Sequence, residues 1–251
     1  MVEKILMITR QGFTERQNGD DVEDKSLSSW SIGNLYKQAK VAFKNYSEGN
    51  VGLEGNRFFI SHSSRKRTRY TGIARIAGAF GYEPIPACQK DLDRVPIERN
   101  AIGVDKRLDF SDIVFNDEAL REGEGEYISN WIANSKSQEL EGVKITPFDN
   151  LVRSRSPCLT RALNRLKSGK DIGVLVGHGG ICESLLVGAV NSARPDNPVR
   201  DISEIGGPMT PESFALIEFQ YDSKGIYNSW MRRDGVQYPV NLKILLANRI
   251  F

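Results

Sequence analysis

The chain has 251 residues, 39% of them apolar and 26% charged, and 34 Lys and Arg against 32 Asp and Glu leave a formal net charge of +2. A chain of this length buries roughly three quarters of the surface its unfolded form exposes, so no disulfide or metal staple is required. The near-neutral balance argues against a basic nucleic-acid-binding domain, and no apolar run reaches the roughly 18 residues a membrane-spanning helix needs.

In chain order, the first predicted element is a strand over Ile5–Ile8, which stops at Thr9-Arg10-Gln11-Gly12. A helix over Ser29–Tyr46 follows, then a strand over Phe58–Ile60 that runs into Ser61-His62-Ser63-Ser64-Arg65-Lys66-Arg67 and a helix over Thr68–Phe80. From about Gly81 to Thr146, Pro84, Pro86, Pro96, Gly103, Gly123 and Gly125 break the rhythm. This stretch is expected to be a small irregular cap over one end of the sheet, with a helical pattern over Glu124–Ser135. Next come a helix over Asp149–Lys167, a strand over Ile172–Val176 ending in Gly177-His178-Gly179-Gly180, and a helix over Ile181–Val190. Pro195 to Pro211 reads as a loop, followed by a strand over Phe214–Phe219 and a weaker one over Ile226–Met231.

Near-continuous apolar strands alternating with helices imply a sheet covered on both faces. The expected fold is therefore a three-layer α/β/α sandwich with a mostly parallel sheet, a single domain over residues 1–251 and a cap insertion over about 81–146. Cys88, Cys158 and Cys182 show no metal or redox spacing, and only one glycine follows the first strand, so neither a metal site nor a dinucleotide fingerprint is expected. No cofactor is implied. The thiols, and a start that enters an apolar strand straight after Glu3-Lys4, lead us to expect a cytoplasmic protein.

In an open parallel sheet, ligands sit beyond the carboxyl ends of the strands. Three runs end there in groups suited to an anion: Arg10 with Gln11, the segment carrying Arg67, and His178 with Gly179. Forked guanidinium donors and helix starts make a phosphate pocket the natural reading. Arg65-Lys66-Arg67-Thr68-Arg69 alone could suggest a nucleic-acid patch, but its setting before a helix favours one phosphate-facing residue with solvated neighbours. His62 reads as a hydrogen-bonded structural histidine.

These segments resemble the histidine phosphatase superfamily, the phosphoglycerate-mutase-like proteins. Its marks are a strand ending in Arg-His-Gly, a later Ser-x-x-x-Arg-x-x-x-Thr, and a His-Gly-Gly turn. Here they read Arg10-Gln11-Gly12, Ser63 to Thr71, and His178-Gly179-Gly180, in the same order. The resemblance implies covalent phosphoryl transfer through the first histidine, with Arg10, Arg67, His178 and Gly179 around the phosphate, Thr14 and Gln17 as further contacts, and a carboxylic acid protonating the leaving oxygen. Gln17 stands where asparagine is usual. Asp93, in Leu92-Asp93-Arg94, is the provisional acid, with Glu98 and Asp109 as rivals.

Gln11 occupies the nucleophile's place. An amide nitrogen, its lone pair delocalised into the carbonyl, does not attack phosphorus, although the amide can still hydrogen-bond a phosphate oxygen. The scaffold is thus that of a phosphoric monoester hydrolase, inactive as written. Three explanations stand beside one another: a phosphatase whose nucleophile was replaced, a natural non-catalytic binder of a phosphorylated ligand or protein partner, and a glutamine that orients water. A phosphoglycerate-type mutase is the remaining alternative. The expected ligand is a small phosphorylated substrate or inorganic phosphate, without nucleic-acid or membrane partners, and the oligomeric state is open.

Overall fold

The computed structural model describes residues 2–13, 27–44, 57–110, 113–140, 142–222 and 225–247. Seven strands form one sheet, in the order β3-β2-β6-β1-β7-β8-β9. They are β1 (Val2–Arg10), β2 (Phe58–His62), β3 (Ile102–Val104), β6 (Ile172–Gly177), β7 (Phe214–Asp222), β8 (Gly225–Arg233) and β9 (Val236–Pro239). The hairpin of β4 (Glu139–Leu140) and β5 (Val143–Lys144) stands apart. β3, β2, β6 and β1 pair in parallel, whereas β7, β8 and β9 continue from β1 as an antiparallel meander. Five of the seven strands therefore run in one direction.

Side chains on β1 alternate between two cores, as the period of two in a strand requires. Ile5 and Met7 pack with helices α1 (Ser29–Ala42) and α2 (Lys66–Ala79), through residues such as Ile32, Leu35, Ile73 and Ile76. Leu6 and Ile8 face the opposite way. They join the core made by α4 (Asp117–Ala133), α5 (Phe148–Lys167) and α6 (Ile181–Asn191), where Trp131, Phe148, Leu159 and Leu185 are buried. Two short helices complete the described set, α3 (Gln89–Leu92) and α7 (Leu242–Leu246). None of the helices among the described residues is long and apolar enough to cross a membrane.

Every strand and helix expected from the hydrophobic pattern is present, with shifted ends. α1 is described as helical to Ala42, and Tyr46, the expected end, lies outside the described residues. The stretch 81–146 is more than a cap. It reaches over the site, but it also supplies β3 to the edge of the main sheet and the buried face of α4 to the second core. The loop between α6 and β7 carries a short 3-10 turn, Ile202–Ile205.

Candidate anion site at the carboxyl edge of the sheet

The parallel register places the three motif segments side by side. Arg10 lies opposite Gly177 and His62 opposite Val176, so Gln11, Ser63 and His178 each stand one residue beyond the same sheet edge. Just beyond the first strand Gly12 packs closely on α1, where a Cβ would sit 2.3 Å from Ser31 Oγ. The Gln11 backbone is fixed on both sides: its N–H donates to Gly177 O at 3.1 Å and its carbonyl accepts from Glu212 N at 3.1 Å. Glu212 itself holds a positive φ of 67°, an uncommon state for a residue with a Cβ. Its carbonyl accepts from Arg75, and its carboxylate from Ser31 and Asn34.

A cavity of about 590 Å³ opens at this edge, lined by Arg10, Gln11, Arg67, His178 and Gly179 together with Ser64, Arg65, Lys106, Asp109, Phe110, Phe115 and Glu124. Five of the six expected residues that lie within the described part of the chain are thus brought together, Asp93 being the exception. Thr14 and Gln17 lie outside the described residues.

Asp93, the provisional acid, is not a lining residue. It accepts from the Tyr70 hydroxyl at 3.0 Å, lies 3.7 Å from Arg69, and is half exposed. Leucine and arginine neighbours suggested it in the sequence, but α3 turns it toward the outer side of α2, away from the sheet edge. Glu98 caps the 3-10 turn Arg99–Ala101 and is exposed. Two carboxylates do reach the cavity. Asp109 is committed to the loop before α2, accepting from Ser64 N at 3.0 Å and Ser64 Oγ at 3.1 Å. Glu124, which the sequence reading did not single out, forks onto Arg10 Nη2 with both oxygens at 2.5 Å.

Arg10 shares the face of Leu6 and Ile8, which points it toward α4 and α6. Its Nη1 donates to Met209 O, and its buried Nε has no partner among the described residues. Gly179 is needed beside this pair, because a Cβ there would meet Glu124 Oε1 at 2.3 Å and Arg10 Cζ at 3.1 Å. Behind it the wholly buried Glu183 accepts from Gly180 N at 2.6 Å and Met209 N at 2.7 Å. Burial raises its pKa, while Arg10 and those N–H groups oppose the rise.

His178 is 5% exposed and packs on the Phe110 ring. Burial, and then Arg67, Arg65 and Arg10, push its pKa down to about 3, so the imidazole is neutral near pH 7. The hydroxyl network assigns its tautomer. Thr68 Oγ1 gives its proton to Arg65 O at 2.6 Å, so Ser63 Oγ donates to Thr68 Oγ1 at 2.9 Å, and His178 Nε2–H donates to Ser63 Oγ at 3.0 Å. Nδ1 is then an acceptor. His62 is not in the cavity; its Nδ1–H donates to the Ser63 carbonyl at 2.6 Å, the structural role expected for it.

Behind the site a buried arginine ties α1, α2, β1 and the segment before β7 together. Arg75, fully buried in α2, donates to Leu35 O, Gln38 Oε1, Thr9 Oγ1 and Glu212 O. Its sequence signal was a charge inside the apolar run Ile73 to Ala77. The three cysteines are free, and burial raises the thiol pKa of Cys158 and Cys182.

The architecture is a mixed α/β fold around a mostly parallel seven-stranded sheet, consistent with the phosphoglycerate-mutase-like fold. Compared by sequence, the chain matches no protein-family model and no curated protein. Compared by structure, it is similar to a mycobacterial glucosyl-3-phosphoglycerate phosphatase, at 16% identity and a TM-score of 0.51 over 95% of this chain and 100% of that one. The same phosphatase in complex with inorganic phosphate superposes with a TM-score of 0.50 at 18% identity, over 92% of this chain and 95% of that one. A protein described as mycobacterial hydrolase 2 gives 0.52 at 16% identity, over 99% and 97%.

Proposed function

We propose that the chain binds inorganic phosphate or a small phosphomonoester at the carboxyl edge of its sheet and, with Gln11 in place, does not turn it over through a phosphohistidine. The observation that carries this reading is the gathering of Arg10, Arg67, Gln11, His178 and Gly179 in one cavity. Guanidinium groups fixed in a partly desolvated cleft suit a tetrahedral oxyanion. The phosphate complex of a phosphatase with the same fold supports the choice of anion.

A nucleophile is the missing part. Gln11 has no nitrogen lone pair to offer. Neutral His178 has one, on Nδ1, but it belongs to the histidine that the family resemblance assigns to the clamp. Of the two lining carboxylates, Asp109 holds a loop and Glu124 holds Arg10, so a proton donor is not free either. A binding protein built on a phosphatase scaffold accounts for all three facts.

The test is titration calorimetry with inorganic phosphate on the unmodified chain and on Arg67→Ala, beside an aryl-phosphate assay. Binding that is lost in Arg67→Ala, with no turnover in the unmodified chain, is the expected result. Phosphate affinity unaffected by Arg67→Ala, or hydrolysis by the unmodified chain, overturns the proposal.

A further inference from the structure

A second cleft, of about 420 Å³, lies on the flank of the sandwich between the end of β3 and α5. It is lined by Lys106, Arg107, Arg161 and Arg165, and Asp105 is its one lining carboxylate among the described residues. Asp105 is already shared, by Arg161 and, at 3.8 Å, by Arg107. The cleft therefore has four cations against one anion. Arg161 and Arg165 stand one turn apart on α5, on the same side of the helix. Arg165 is held over the Phe59 ring, 4.2 Å from its centroid, and its partial burial lowers its pKa.

Lys106 lines both this cleft and the cavity that holds Arg10, Arg67 and His178. Like charges gathered along a partly desolvated groove repel one another unless an anion lies among them. The two clefts are therefore adjoining parts of one electropositive track, with Lys106 at the junction.

Resting on the phosphate reading of the first cavity, we infer that the ligand carries a second anionic group, and that this group occupies the Lys106–Arg161–Arg165 cleft. The chemical class is a bisphosphate or a short polyphosphate, one end among Arg10, Arg67 and His178 and the other reaching along α5. Nothing in the phosphate site itself requires this; the flanking cleft does.

The experiment compares inorganic phosphate with a series of straight-chain alkanediol bisphosphates of increasing length, by titration calorimetry at fixed ionic strength. The variants are Arg161→Gln, Arg165→Gln, Arg165→Lys and, as a control for net charge, Arg57→Gln. Arg57 pairs with Asp171 away from both clefts. The expected result is a bisphosphate of one optimal length binding at least about tenfold tighter than phosphate. That gain should be reduced in Arg161→Gln and Arg165→Gln, kept in large part in Arg165→Lys, and unchanged in Arg57→Gln. Inorganic phosphate should bind all four variants alike.

If phosphate binds through Arg67 but no bisphosphate gains over it, the inference falls and the phosphate site stands. A gain that Arg57→Gln erodes as much as Arg161→Gln also overturns it, since that is bulk electrostatics. If neither probe binds, the phosphate reading falls and takes the second cleft with it.

Discussion

Glu124→Gln should strengthen phosphate binding. In the structure Arg10 spends Nη2 on both oxygens of Glu124 and Nη1 on Met209 O, so only Nε lacks a partner among the described residues. A dianion entering the cavity meets the Glu124 carboxylate first and must displace it to reach the Arg10 fork. Arg10 is 8% exposed and Glu124 33%, which places the pair between a solvated surface bridge and a fully buried one. Surface pairs contribute about 0–1 kcal/mol, and breaking a buried pair costs about 3–5 kcal/mol. An intermediate value of about 1–2 kcal/mol is the cost phosphate should escape in the variant, corresponding to about 5- to 30-fold tighter binding. Glutamine keeps the length and shape of the side chain, so packing against Gly179 is little changed. Calorimetric titration with phosphate at fixed ionic strength gives the number, and the rise in Tm with phosphate concentration checks it independently. Equal or weaker binding by Glu124→Gln would refute the displacement argument, because the carboxylate would then be orienting Arg10 for the ligand rather than competing with it.

Gln11→His should confer measurable aryl-phosphate turnover if the remaining pocket is intact, and continued silence would mark a pocket adapted to binding alone. The folded chain holds the His178 pKa near 3 against about 6.5 unfolded, so between those values the unfolded state binds the extra proton. Stability should therefore fall as pH drops through that window, by up to about 1.4 kcal/mol per pH unit from this group, and urea unfolding of His178→Gln should show a shallower slope. Arg75→Met should destabilise the fold by about 3–5 kcal/mol in the same assay, since three buried acceptors and the half-buried Gln38 lose their donor and Glu212 loses the contact to its carbonyl beside its positive φ. A loss below about 1 kcal/mol would show that those groups find other partners.

The order of elements was legible because the sandwich buries both faces of its sheet, leaving four apolar runs of strand length between helical patterns. β3 and β9 escaped notice because each is short and half exposed. β3, in Ile102-Gly103-Val104, has no apolar run to mark it, yet it forms the edge of the sheet. Arg10, Arg67 and His178 were legible from their places after predicted strands, since a parallel sheet brings such positions to one edge. The carboxylate that pairs with Arg10 was not, because Glu124 arrives from a helix more than 100 residues away from Arg10, and no local pattern records that approach. Asp93 had the local pattern, and the turn of α3 sent it elsewhere.

The glutamine at position 11 gains a physical meaning from the proton inventory around it. Its Oε1 is buried and has no donor among the described residues, and the Ser63–Thr68 network leaves Nδ1 of the neutral His178 as an acceptor. An imidazolium or a free nucleophile would favour a fully ionised phosphate, but two acceptors facing a ring of guanidinium groups call for a ligand with oxygens of both kinds. A monoprotonated phosphomonoester has them: its charged oxygens take the arginine donors, and its hydroxyl donates to Gln11 Oε1 or His178 Nδ1. Affinity for a phosphomonoester should accordingly rise as pH falls from about 8 toward 6, approaching the second ionisation of its phosphoryl group near pH 6. The increase should shrink in Gln11→Leu, which removes one acceptor without adding charge. Titration in buffers of different ionisation enthalpy counts the protons taken up, and no net uptake near pH 8 would mean that the dianion binds as such and that the buried amide oxygen finds its partner elsewhere.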